Sequence, residues 1–496
     1  MKRRLQILSL ALMFCGAMAW AQDNTSTPPD TSSQQQNAGP EQENQQPPLT
    51  ENPPLSSLDV PSLEPHAAPL SYLQPGVTVS ESADSNPTSG VGVGNSFSSV
   101  TRALGSLTLK RVWSHYDLGL EYAGGAGYYS INGEGWKLLQ QMDLDQRITW
   151  KRGQLSLRDS FSYLPEGNFG NAYGSQASMN LASLTNTPFS ALLGGSVLGT
   201  FGLTPRIMNI GVADVSQYLS PKSAVTGLAG YAFTHFYGDD ITTGGPFIGV
   251  SQLSFQGGYN RLLTPHTQVA VMYDYQGFDF SVVGSAFHTH VVQGLIGRRI
   301  SGRMDLLLGA GPQFTFSHES TLFGSVPQTK VGVAAIGRLR YRFPKTQLAL
   351  TYERAQTSGS GLFAGAQSDI VRFSADRPLT RVWSGFMDLG YARNERLQPL
   401  SAQQLSTCFA GPPGQPNNTG LPPCPGVSAE TYSYGFAGVG VHRSFGHSFH
   451  GFMSYQFNEL IFDHSYCGGL PECDRISNRH VLTFGLDWIP RPIRID

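Results

Sequence analysis

Charge is scarce in this sequence. Only 14% of its 496 residues are Asp, Glu, Lys or Arg, against about 25% in an ordinary soluble domain. Lysine is scarcer still, at 7 of the 33 basic residues. The chain is not building a charged, water-solvated enzyme surface. Long apolar runs are missing too. After Gln22 no stretch of 18 apolar residues occurs, so no segment qualifies as a transmembrane helix. Catalytic punctuation is absent: there is no G-x-S-x-G, no H-E-x-x-H and no P-loop. Gly90, Gly92 and Gly94 do not open a helix after a strand, so they make no dinucleotide fingerprint. His288-x-His290 could offer two imidazoles to a metal, but no third ligand lies near them in sequence. The reading is of a chain without enzyme activity, cofactor, resident metal or nucleic-acid partner.

What the sequence does contain is glycine (57), tyrosine (20) and phenylalanine (28). Its start is basic at Lys2, Arg3 and Arg4, then apolar from Leu5 to Ala19, then Ala19-Trp20-Ala21 before Gln22. Residues 1–21 therefore read as a secretory signal peptide. Cys15 is not read as a lipidation site, because Phe14 stands where a lipobox needs a small residue. Residues 22–69 hold ten prolines and no aromatic residue. Such a segment buries too little apolar surface to offset its ordering entropy. Residues 22–70 are accordingly expected to be a disordered periplasmic leader, and 71–496 a single folded unit.

Four cysteines remain beyond the signal peptide, and an even number in an oxidising compartment points to disulfides. Three connectivities are possible. The local one, Cys408–Cys424 with Cys467–Cys473, is favoured because each pair lies inside one loop-like segment.

From about residue 72 onward the chain alternates apolar and polar residues in segments of 10–16, separated by turn residues. In Gln252–Leu262, Leu253, Phe255 and Tyr259 oppose Gln252, Ser254, Gln256 and Asn260. In Val481–Trp488, Leu482, Phe484, Leu486 and Trp488 oppose Thr483, Gly485 and Asp487. Period 2 means strand. Runs this long exceed the five or six residues of a typical globular strand and suit strands that cross a bilayer at a tilt. Eighteen such segments can be placed, with sixteen as the other even count. The connections alternate between short and long, and 318–328 is read as one of the long ones. Each of the eight short turns has Lys or Arg within about three residues, from Arg111 through Lys151, Lys222, Arg261, Arg299, Arg342 and Arg381 to Arg443. Acids such as Glu166, Asp239, Glu319 and Asp463 fall in long connections. Short turns and both termini are assigned to the periplasmic side. The fold class is all-β: a closed antiparallel transmembrane β-barrel of about 18 strands.

The last strand carries Thr483-x-Gly485-x-x-Trp488, which resembles the β-signal of bacterial outer-membrane proteins. Pro490 occupies the expected final aromatic position. The strand count is similar to that of specific porins and of the alginate-export barrel. The resemblance implies residence in the outer membrane, and outer-membrane lipids and the barrel-assembly machinery as partners. Homo-oligomerisation stays open.

If polar strand faces line the lumen, Asp143, Asp145, Arg147, Arg158, Asp274, Arg338, Arg340, Arg342, Glu353, Arg372, Asp376, Asp388 and Asp487 point inward. Arg338, Arg340 and Arg342, on one face near the inner mouth, would favour anionic solutes. Asp159 breaks the pattern by falling on the lipid face, and in 430–445 neither face is clearly apolar. The connection 165–206 is unusually apolar for a surface loop. Leu184, Phe189, Leu192 and Leu193 are its candidates for a constriction folded into the lumen. The functional expectation is a porin-like channel for small polar or anionic solutes. The alternatives are an assembly or adhesion barrel with a blocked lumen, an exporter of an acidic polysaccharide and, third, a barrel-embedded hydrolase with scattered catalytic groups.

Overall fold

In the computed structural model, the described residues are 71–86, 97–130, 135–164, 205–237, 247–280, 285–321, 324–398, 428–467 and 475–495. The signal peptide and leader, the constriction candidates Leu184, Phe189, Leu192 and Leu193, and Cys408, Cys424 and Cys473 lie outside them. Cys467 is described, at the end of a short 3-10 turn, His464–Cys467.

Eighteen long strands follow one another around a ring. They are β1 (Tyr72–Asp84), β2 (Ser98–Val112), β3 (Tyr116–Tyr129), β4 (Gly135–Trp150), β5 (Gly153–Leu164) and β6 (Arg206–Ser220). Next come β7 (Ser223–Phe236), β8 (Val250–Thr264), β9 (Thr267–Phe280), β10 (Ser285–Ser301), β11 (Met304–Thr321) and β12 (Gly324–Arg342). The ring is completed by β13 (Gln347–Thr357), β14 (Ala366–Pro378), β15 (Trp383–Arg396), β16 (Thr431–Phe445), β17 (Phe449–Phe462) and β18 (Ile476–Trp488). A two-residue strand, Ile493–Arg494, follows. Each strand pairs antiparallel with its sequence neighbours, and β18 returns to β1 through Val77↔Trp488 to Asp84↔Val481. Closure joins the first and last strands, so neither is left as the open end of a sheet.

The eight turns on one rim are short, while the opposite rim carries the long connections. Both chain ends of the barrel lie at the short-turn rim, where Tyr72 pairs with Lys110 and with Arg494. One expected long connection is absent. The segment 318–328 instead continues β11 and β12, which pair as far as Thr321↔Gly324.

Burial is inverted relative to a water-soluble protein. On β8, Gln252, Ser254 and Asn260 are buried, while Leu253, Phe255 and Tyr259 are exposed. On β18, Arg479, Val481, Thr483 and Asp487 are buried, while Leu482, Phe484, Leu486 and Trp488 are exposed. Strand geometry sends alternate side chains to opposite faces, so the polar set faces inward and the apolar set forms an outer belt. Such a belt is far larger than the apolar patches of a soluble monomer. Aromatic residues edge it. Near the short turns stand Trp113, Trp150, Phe343, Trp383, Phe445, Phe449 and Trp488, and toward the other rim Tyr128, Trp136 and Tyr391. Arg111 stacks on Trp113 at 4.7 Å, and Arg443 on Trp383 at 5.2 Å and Phe445 at 4.9 Å. Trp383 and Tyr391 are eight residues apart on β15. At the usual strand rise and tilt that spans about 20 Å, close to the apolar band of a membrane barrel.

Two irregularities of the sequence pattern receive explanations. Asp159 does face outward, in unbroken register, and accepts a hydrogen bond from Asn209 Nδ2 at 3.0 Å. A Cβ on the neighbouring Gly211 would sit 3.4 Å from its carboxylate. In β16 the inward face is aromatic (Tyr432, Tyr434, Phe436) because it meets other apolar groups inside the barrel.

Candidate functional site

The seam that closes the ring shows what its inward polar face does. Asp84 on β1 takes a bidentate bond from Arg479 on β18, Nη2 to Oδ2 at 2.5 Å and Nε to Oδ1 at 3.1 Å, with both side chains buried. Below it, Ser82 and Thr483 are 2.9 Å apart, and Thr78 donates to Asp487 at 2.7 Å. Arg102 reaches Ser82 from β2 at 2.7 Å. The motif residues of the last strand sit here. Thr483 joins this polar row, Trp488 belongs to the outer aromatic edge, and Gly485 is pressed against the Phe452 ring and the Val79 carbonyl.

The other inward charges form two zones. Near the short-turn rim, Arg338, Arg340 and Arg342 lie on the inner face of β12, with Arg299 of β10 beside them. Asp305 pairs with Arg340 at 3.3 Å and with Arg299 at 3.7 Å. Arg340 keeps Nε and Nη1 buried without a hydrogen-bond partner. Four guanidinium groups, those of Arg299, Arg338, Arg340 and Arg342, are thus gathered on this part of the wall with Asp305 among them. Farther along the wall, Arg372 grips Asp388 through two bonds, at 2.9 and 2.6 Å. Arg158 faces Asp145 at 3.7 Å. Asp274 accepts from Gln256, and Glu353 of β13 lies in the electrostatic field of Asp274 across the interior. Asp143, Arg147 and Asp376 share the inner face without joining an ion pair among the described residues. The inner face thus carries the sequence-derived set, of which Asp145 with Arg158, Arg372 with Asp388, and Arg340 with Asp305 form ion pairs.

Not all of the inner wall is polar. On β6 and β7, Met208, Ile210, Val212, Leu228 and Ala232 form a buried apolar stripe. His288 and His290 do not line the lumen. They stand on the outer face among Tyr273, Tyr275 and Phe316, with Tyr273 Oη 2.7 Å from His290 Nδ1. Among the described residues, no group of three or more His, Cys, Asp or Glu is placed to hold a metal.

The feature that sequence reasoning missed is the connection Ser358–Gly365 between β13 and β14. It turns into the barrel. Gly359, Ser360, Gly361 and Gly365 all have positive φ, between 60° and 90°. Glycine adopts that conformation without steric cost, and a Cβ on Gly361 would strike the Phe236 ring at 2.8 Å. The turn carries Leu362 and Phe363 into a buried cluster with Phe236, Phe247, Ala392, Tyr432 and Phe462. β7 and β16 are on opposite sides of the ring, so this cluster bridges the lumen at the long-connection rim. Ile248 N donates to Gly361 O at 2.7 Å. Arg396 lies over the Phe363 ring at 4.4 Å and donates to Ala429 O at 3.2 Å. Tyr432 packs edge-on against Phe363 at 5.0 Å and reaches Gly359 O at 3.4 Å. The available signal was an apolar pair, Leu362-Phe363, enclosed by glycines at 359, 361 and 365.

No family model and no curated protein matches the chain. Solved structures of similar shape include Pseudomonas aeruginosa OccK5 (OpdH), with 12% identity over 86% of this chain and 100% of that one, at a TM-score of 0.38. P. aeruginosa OccK9 (OpdG) shares 8% identity over 84% and 98%, at 0.40. Acinetobacter baumannii OccAB3 shares 7% over 84% and 99%, at 0.36. At that level of similarity, the functional reading stands on the geometry.

Proposed function

We propose that this chain is an outer-membrane channel for small polar or anionic solutes. The observation that carries the reading is the inversion of the barrel: a polar, charged interior inside an apolar belt edged by aromatics. In water that belt would cost far more than a fold can offset. In a bilayer it is solvated by lipid. Signal peptide, leader and short-turn rim together favour periplasmic termini. Solute selection is assigned to Arg299, Arg338, Arg340 and Arg342 near the inner mouth. A desolvated carboxylate or phosphate can there exchange water for charge-assisted N–H donors, which bind anions more strongly than neutral donors do. The remaining lumen charges are proposed to hold the wall in register and keep it wet.

The apolar bridge favours a second reading, a structural or assembly barrel whose lumen is blocked. Conductance separates the two. Purified protein in a planar bilayer should open ion-conducting steps, with a reversal potential in a salt gradient that indicates anion preference. A correctly inserted barrel that never conducts, even after removal of Ser360–Ala364, would leave the structural reading in place.

A further inference from the structure

The wall of this barrel has a break that its strand count does not reveal. β11 and β12 pair over 18 positions, and β13 and β14 over 11. Between them, β12 and β13 pair over only eight, ending at Ala335↔Arg354. Above that point β12 continues with its β11 side paired, while no strand among the described residues pairs with its β13 side. On that stretch a Cβ at Gly332 would meet nothing within 4 Å.

The upper end of β13 has gone inside. Gln356 Oε1 accepts from Thr289 of β10, and its Nε2 donates to Thr315 of β11; both threonines are on the inner wall. Glu395 of β15 approaches Lys330 of β12 at 4.0 Å. The outer face of the β13–β15 tops thus packs on the inner face of β10–β12. This inward position is the one that delivers Leu362 and Phe363 to the bridge.

We propose that the bare edge of β12 is a second docking site for the end of β13. The register already in place extends without a slip, to Ala334↔Ala355, Val333↔Gln356 and Gly332↔Thr357. An unpaired strand edge is a template for an incoming strand. Pairing there would restore the wall and carry the Ser358–Gly365 turn toward the rim, withdrawing Leu362 and Phe363 from the lumen. The tucked position gains apolar burial and two side-chain bonds; the zipped position gains backbone pairing. Two packings that each satisfy the chain in this way form a two-position element. The gating consequence rests on the channel reading; the re-pairing itself does not.

Two disulfides test it in the full-length protein in bilayers. Val333→Cys with Gln356→Cys captures the zipped position, and Thr315→Cys with Gln356→Cys the tucked one. Peptide mapping by mass spectrometry identifies each cross-link. Both pairs should form. Single-channel conductance of the tucked lock should be at least about tenfold below that of the zipped lock, and dithiothreitol should abolish that difference. Failure of the 333–356 cross-link while 315–356 forms in full would overturn the re-pairing. Equal conductance in the two locked forms would overturn its gating role. Formation of both cross-links in a barrel that never conducts would support the re-pairing and count against the channel reading alone.

Discussion

Replacing Asp84 with alanine should damage this barrel more than any single change on its outer belt. The carboxylate takes Arg479 Nη2 on Oδ2 at 2.5 Å, Arg479 Nε on Oδ1 at 3.1 Å, and the backbone N–H of Asn86 at 3.0 Å. The side chains of the pair are only 1% and 4% exposed. Asp84→Ala leaves the guanidinium buried with its main partner gone, a change that costs about 3–5 kcal/mol in comparable settings. Asp84→Asn keeps the shape and an acceptor but loses the charge, and should cost about 1–3 kcal/mol. The double variant Asp84→Ala with Arg479→Ala removes the stranded charge, so it should be less destabilised than the sum of the single changes. The measurement is denaturant-driven unfolding in lipid vesicles, followed by tryptophan fluorescence and by the difference in gel mobility between folded and unfolded barrels. The pair fastens the closing seam, so the loss should appear chiefly as faster unfolding. A loss below about 1 kcal/mol for Asp84→Ala, or strict additivity in the double variant, would refute the claim that this buried pair holds β1 to β18.

Other changes have equally definite outcomes. Phe363→Ala removes the ring between Arg396 and Tyr432; large aromatic truncations in buried sites cost about 3–5 kcal/mol. That loss, set against the bridged state, should raise the open population about a hundredfold or more, read as open-channel time in bilayer recordings. Arg340→Ala should move the reversal potential toward cation preference while leaving assembly intact. Gly485→Ala places a Cβ 2.4 Å from Phe452 and 2.7 Å from the Val79 carbonyl. It should destabilise the last strand by about 1–3 kcal/mol, seen as a lower unfolding midpoint. Asp159→Leu with Asn209→Leu removes polar groups from the lipid face, and should raise stability by about 1–2 kcal/mol in the same unfolding assay.

The architecture was legible because membrane strands carry their environment in alternate residues. In Gln252–Leu262 the face of each side chain follows from parity alone. The short turns announced the topology through their length and basic residues. Local pattern was less informative wherever the inner wall meets another part of the chain. The aromatic face of Tyr432, Tyr434 and Phe436 contradicts a polar lumen until Phe363 is seen against it. The apolar stripe of Met208, Ile210 and Val212 offends the same rule, and Asp159 is tolerated outside because Asn209 happens to lie beside it. His288 and His290 have no apolar identity to fix their face by composition, so neighbouring strands had to fix it. The inward turn at 358–365 depends on four left-handed residues and on partners six strands away around the ring. The end of the β12–β13 ladder has no local signature, because Val331–Ala334 and Ala355–Thr357 would suit a paired strand equally well.

On the proposed reading, a polar lumen crosses the membrane and its arginine-rich inner mouth favours anions. Single-channel recording in a tenfold potassium chloride gradient tests it most directly, on the parent and on a variant lacking Ser360–Ala364. Brief openings are expected for the parent, sustained openings for the deletion, and a reversal potential of anion-selective sign for both. An inserted, folded barrel that stays silent in both forms, or conducts with cation preference, would contradict it.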